Sequence, residues 1–355
     1  MLYPINIPDC HHEMECLLDF QEKLLAFCSD RNSCNEDDLK NEFGNEIFNW
    51  LSSPPARNRI LDYIKKFIQQ DDVLKSEVLG NFKQDRHFHE KSKNEGFHFQ
   101  LIYTQSTLPI DLKNLLVNFY EQLKSSGYHP QVCGCAQTFT DKEWWNSYHK
   151  ANPHHFTCPV CDSSISANRS IEHFFPKGQY LAMSVHPYNL FPCCKKCNND
   201  VKGKKDPLSG YSLNQMYLPF QLFVTDEAEL LFQDDEDGNE HAIFRPLDDD
   251  PEIKTRLEHI EYLFEIPSRW NALVPEFASI AISQLCARVE IYLEDGGELN
   301  EELIRRGIKR TINGLQNNWG RSNYLYPATQ WLKYASEHKF PLLFKEVSRT
   351  IQSYV

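Results

Sequence analysis

The residues best suited to chemistry fall between His155 and Leu208. Two Cys-x-x-Cys pairs frame that stretch, Cys158/Cys161 and Cys194/Cys197. Thiolates two residues apart grip one zinc ion from a tight turn, and two such pairs complete a closed tetrahedral site. The interval between the pairs is longer than a minimal zinc ribbon needs, and it carries Glu172, His173 and Asn189. A neutral imidazole near its free pKa takes a proton from water, so His173 is a candidate general base. The competing reading is a structural or zinc-binding histidine. Four cysteines already saturate one zinc, which favours the base. Cys193 makes the second pair ambiguous, but Cys194 keeps the two-residue spacing and leaves Cys193 as a buried neighbour.

In order, the motif elements are Cys158-Pro159-Val160-Cys161, Glu172-His173, Pro176-Lys177, Asn189-Leu190, Cys194-Lys195-Lys196-Cys197-Asn198 and Lys202. This series resembles the HNH endonucleases, whose ββα-metal fold is braced by treble-clef zinc knuckles. The resemblance covers roughly the fifty residues of this stretch and neither flank. It implies a structural zinc on the four cysteines and a separate Mg²⁺ or Mn²⁺ held by Glu172 and Asn198. It also implies that Asn189 orients the backbone around His173. Glu172 stands where Asp is commoner, and Asn198 where His is frequent. An amide oxygen suits Mg²⁺ better than zinc, and the neighbouring Asn199 leaves the register open by one. A solvated Glu172 and a turn role for Asn189 after Pro187 are the plain alternatives. Lys177 and Lys202 are candidate phosphate contacts.

The expected activity is therefore phosphodiester hydrolysis, in DNA rather than RNA. The Pro-Lys-Gly-x-Tyr and His-Pro-Tyr-Asn-Leu context is similar to HNH proteins of bacterial anti-phage and restriction systems, including the Septu type that works with an ATPase. A defence effector with a separate ATPase or sensor partner is the implied setting. The chain has no Gly-x-x-x-x-Gly-Lys-Ser/Thr loop of its own. The rival reading is a non-catalytic treble-clef module that binds nucleic acid or protein through its basic face. A zinc hydrolase is a weaker third, because four thiolates leave no open zinc position.

The net charge of −13 argues against a protein that coats nucleic acid. Lys177, Lys195, Lys196, Lys202, Lys204 and Lys205 nevertheless cluster in the module, just ahead of acidic runs at Asp234–Asp237 and Asp248–Asp250. Such a patch serves phosphate contact, or else is a solvated face. No apolar run approaches membrane length, since Glu276 interrupts the best one. No basic-then-apolar leader opens the chain. The expectation is a cytoplasmic protein with no membrane partner and reduced thiols.

Positioning these groups requires an α+β chain, mostly helical, with the ββα module at its centre. Residues 1–150 read as a helical N-terminal domain, 151–215 as the zinc-braced module, and 216–355 as a hairpin followed by a helical C-terminal domain. Helical spacing is seen at Met14–Cys28, at Leu39, Phe43, Ile47 and Leu51, at Ile60–Ile68 and at Leu112–Leu123. Alternation of Phe97, Phe99, Leu101 and Tyr103 suggests a strand. Trp144, Trp145 and Tyr148 should pack a helix against the module. Phe220–Val224 and Ala242–Phe244 flank a turn at Asp237-Gly238-Asn239, which suggests a hairpin. Helical spacing returns from Ile253, and Gly296-Gly297 separates two of those helices. In the tail, Trp331, Leu332, Leu342, Leu343, Phe344 and Val347 are expected to face the core.

Overall fold

The computed structural model describes residues 1–53, 60–92, 97–104, 108–165, 169–294 and 296–353. Apolar residues at helical spacing give α1 (His11–Ser29), which buries Met14, Leu17, Leu18, Leu24, Leu25 and Cys28. The run expected as one helix through Leu39 and Leu51 is two, α2 (Glu36–Phe43) and α3 (Asn45–Ser52). Asn35 and Asp38 form a reciprocal capping box at the start of α2. Gly44 ends it at φ +86°, a conformation costly for a residue with a Cβ. The apolar spacing continues across this break because both helices bury the same face.

Next come α4 (Ile60–Ile68), α5 (Asp72–Asp85), α6 (Phe88–Lys91), α7 (Ile110–Lys124), α8 (Pro130–Cys133) and α9 (Asp141–Ala151). Fully buried Lys75 on α5 donates to the carbonyls of Arg31 and Ile68 and pairs with Asp72 at 2.8 Å. One ammonium thus satisfies carbonyls at the ends of α1 and α4. The strand expected at 97–103 is not formed. Phe99 and Leu101 are buried, but the segment makes a single bridge, Ile102 to Tyr180, and so lacks a ladder.

The central module is an antiparallel pair, β1 (Arg169–His173) and β2 (Leu190–Cys194), followed by a π-helical turn at Lys196–Lys202. Glu172 lies opposite Phe191, and His173 opposite Leu190. A short α10 (Val224–Glu227) leads into a second antiparallel pair, β3 (Ala228–Asp234) and β4 (Glu240–Pro246). The hairpin expectation placed its first strand at Phe220–Val224. The strand begins later, because Asp234 pairs with Glu240 around the turn and the ladder runs back only to Ala228.

The chain ends in α11 (Pro251–Phe264), α12 (Val274–Glu294), α13 (Glu301–Gln316), α14 (Leu325–His338) and α15 (Phe340–Gln352). Of the expected tail core residues, Leu342 is 66% exposed, while Leu343 and Val347 are buried. Within the helical segment Ser268–Glu294 an 18-residue window has a mean hydropathy of 1.3, so the segment meets the length and composition for a membrane span. That extends beyond the run read from sequence. Its Phe277, Ala281, Leu285 and Val289 are buried, and it packs on α13, α14 and α15.

Among the described residues the sequence therefore builds a predominantly helical chain with two small sheets, the α+β class. The buried apolar residues form one continuous cluster from Met1 to Ile351.

Candidate metal centre and active site

The first cysteine pair sits in a tight turn where the Cys158 amide donates to the Ser163 carbonyl and the Asp162 amide to the Cys158 carbonyl. The second pair joins the last residue of β2 to the π-helical turn. The Sγ atoms of Cys158, Cys161, Cys194 and Cys197 all lie within 4.8 Å of one another, and all four residues are buried. Cys161 and Cys194 Sγ are 3.7 Å apart. A tetrahedron with zinc–sulfur bonds of ~2.3 Å has an edge of ~3.8 Å, so the donor set fits zinc. The Cys194 amide donates to Cys158 Sγ, the Cys197 amide to Cys194 Sγ and Arg269 Nη1 to Cys197 Sγ, each at 3.4 Å. Four thiolates around Zn²⁺ leave two negative charges, and these three donors are placed to offset them.

The knuckle is also a tie point. Asp162, at φ +58°, accepts from Tyr3 Oη, Thr157 Oγ1 and the Tyr326 amide at 3.0, 2.9 and 3.0 Å. Burial pushes its carboxyl up to about 7, against those hydrogen bonds. The Leu2 amide donates to the Pro159 carbonyl, and the amides of Phe156 and Thr157 to that of Gly320. The first residues of the chain and the segment from Gly320 to Tyr326, before α14 and at its start, therefore meet at the knuckle. On α9, Trp144, Trp145 and Tyr148 are buried as expected, and Trp145 stacks under Arg169 of β1.

Beside the centre lies a cleft of about 560 Å³. Its walls include Glu172 and His173 from β1, Lys177 from the following loop, and Asn198, Asn199 and Lys202 from the π-helical turn. Neighbouring strand residues point to opposite faces. Both reach the cleft because β1 ends at His173.

His173 is 6% exposed. Its Nε2 sits 2.8 Å from the Ser184 carbonyl, a bond that requires the proton on Nε2 and leaves Nδ1 unprotonated in the neutral ring. The Tyr120 ring packs edge-on at 4.2 Å. Burial, then Lys177, holds the imidazole well below its ordinary pKa. Glu172 pairs with Lys202 at 2.7 Å, and their side chains are 9% and 1% exposed. Burial raises the Glu172 carboxyl, and Lys202 opposes that rise.

Asn189 is fully buried and does not line the cleft. Its Oδ1 accepts from the Phe175 amide at 2.7 Å, and its Nδ2 donates to the carbonyls of Phe175 and Met183. It clamps the loop that begins directly after His173. Asn198 Nδ2 donates to Ser170 Oγ at 2.7 Å. Lys177 pairs with Glu121 and lies 3.9 Å above the Tyr120 ring.

The lysine cluster divides. Lys177, Lys202 and Lys204 line the cleft. Lys195 and Lys196 are exposed elsewhere, and Lys205 pairs with Glu265. Sequence reasoning missed the cleft's other wall, Lys113, Tyr120 and Lys124 of α7. Their spacing of seven and then four residues is a one-face signal that the apolar stripe of that helix masked.

No protein-family model matches the chain, and no solved structure matches it. Among curated proteins it is similar to protein ea31 of Escherichia phage lambda, 26% identical over 184 residues. The match spans 47% of this chain and 60% of the phage protein.

Proposed function

We propose that the chain is a metal-dependent phosphodiester hydrolase of the HNH type, acting on DNA. The observation that carries this reading is the cleft itself. It combines an uncharged imidazole with a defined free nitrogen, a buried carboxylate and five lysines, beside a four-cysteine centre. Breaking a phosphodiester requires an activated water, neutralisation of phosphate charge and help for the leaving oxygen. His173 Nδ1 takes the proton from water, and Asn189 holds the loop that fixes the ring. Lys177 and Lys202 contact the phosphate. Glu172 and Asn198 would hold Mg²⁺ or Mn²⁺, which supplies charge neutralisation there. The zinc on the four cysteines is structural. The setting that the motif context implies is an effector of bacterial anti-phage defence, with an ATPase or sensor as a separate chain.

A second reading, a zinc module that binds without cutting, draws on one observation. Lys202 satisfies Glu172 without a divalent ion. The test is a nuclease assay on supercoiled plasmid, linear DNA, single-stranded DNA and structured RNA. Wild type and His173→Ala are run with Mg²⁺, Mn²⁺ or neither, and zinc content is measured in parallel. The proposal expects divalent-dependent cutting of DNA that vanishes in the variant while zinc stays at one equivalent. Binding without cutting under every condition, unchanged by His173→Ala, favours the second reading.

A further inference from the structure

Every cation of α12 and α13, and Arg321 beyond them, six in all, has no carboxylate in ion-pair reach among the described residues. They are Arg288 on α12, Arg305, Arg306, Lys309 and Arg310 on α13, and Arg321 just beyond it. Arg306 and Arg310 lie over the Tyr292 ring, 4.8 and 5.0 Å from its centre. An aromatic face orients a guanidinium without neutralising it.

Positions 306, 310 and 314 follow one another along one row of α13, about 6 Å apart along the axis. The third position is Gly314. A Cβ there would meet Arg288 Nη2 at 2.7 Å. The guanidinium of Arg288, reaching across from α12, fills the place a side chain would take, so the row continues as a third guanidinium. Beside it opens a cavity of about 260 Å³, walled by Arg288, Thr311, Gly314, Asn318 and Arg321. The Thr311 side chain is buried, and its hydroxyl has no hydrogen-bond partner among the described residues.

We propose that this cavity and the arginine row bind a nucleic-acid backbone, with one phosphate between Arg288 and Arg321 and further phosphates along Arg310 and Arg306. Planar guanidiniums match phosphate oxygens in bidentate geometry. The cavity is smaller than the ~300–1,000 Å³ of drug-sized ligand sites, which suits a single phosphate group. The row beyond it selects a polyanion over a small phosphorylated molecule. The surface lies outside the cleft and shares only the ligand class with the proposed function.

The test uses the zinc-loaded full chain without added Mg²⁺ or Mn²⁺. Anisotropy of a labelled single-stranded oligonucleotide is titrated across salt concentrations, and inorganic phosphate alone is titrated separately. Arg288→Gln and Arg321→Gln should each weaken oligonucleotide binding about tenfold, and each should reduce the log–log salt slope by about one. Gly314→Ala is the discriminating variant. Alanine favours the helix, so Tm should hold or rise, yet its Cβ displaces Arg288 and binding should fall to a similar degree. Affinity and slope unchanged in the Arg288→Gln/Arg321→Gln double variant would overturn the proposal. So would an oligonucleotide that binds no tighter than inorganic phosphate. Loss of affinity in these variants of a chain that never cuts DNA would support this surface while removing the cleavage reading.

Discussion

Replacing Lys202 with methionine tests the energetics of the cleft. Methionine keeps the unbranched stem, so packing changes little, but the ammonium 2.7 Å from Glu172 is lost. Glu172 then remains in a site where its side chain is 9% exposed. Removing one partner of a buried ion pair costs about 3–5 kcal/mol, because the other charge is left uncompensated. With ~2.1 cal/mol/K of unfolding entropy per residue, a chain of 355 residues should lose about 4–7 °C in Tm. The cost should depend on pH. Burial already raises the Glu172 carboxyl above its ordinary value, and losing Lys202 raises it further. A carboxyl raised in the folded state contributes stability below its unfolded pKa of ~4.3, and that contribution is lost as pH rises through the folded value. The variant's deficit should therefore be largest near pH 8 and shrink toward pH 5. Calorimetry of both proteins across that range, without divalent ions, measures it. Glu172→Gln in the same background should restore part of the loss. A deficit under about 1 °C, or one flat with pH, would refute the view that this is a buried, mutually dependent pair.

Zinc removal by a strong chelator, or Cys197→Ser, should unfold the region around the centre. Circular dichroism and metal analysis should change together, since structural zinc supplies ~10–16 kcal/mol in small zinc modules. If the proposed cutting is observed, its rate should show no ionisation near pH 6.5. The His173 imidazole is held well below that value and stays neutral down to lower pH; a rate falling tenfold per pH unit from 6.5 downward contradicts this. Asn189→Ala removes three side-chain hydrogen bonds from a fully buried site. At about 1 kcal/mol each, the expected loss is about 3–5 °C in Tm with zinc content unchanged.

The cysteine pairs were legible because each closes within one turn, so spacing alone states the geometry. The same holds for the amphipathic helices, whose contacts repeat every three or four residues, whereas Glu172 and His173, neighbours that a strand would point to opposite faces, reach one cleft only because β1 ends at His173. Where a local pattern had two structural solutions, the sequence left the choice open. The alternation at Phe97–Tyr103 reports one buried face, but a strand also needs a neighbour to form a ladder, and only Ile102 finds one, at Tyr180. The apolar spacing across Gly44 is the same for one helix or two, and the backbone at that glycine decides.

The pairing of Glu172 with Lys202, the Tyr120 ring against His173 and the Arg288 guanidinium over Gly314 join residues far apart in the chain. Side-chain type and spacing name the chemistry each group can do. Only packing of one element on another sets which buried carboxylate gains a cation, which imidazole nitrogen is left free, and which arginines remain unpaired.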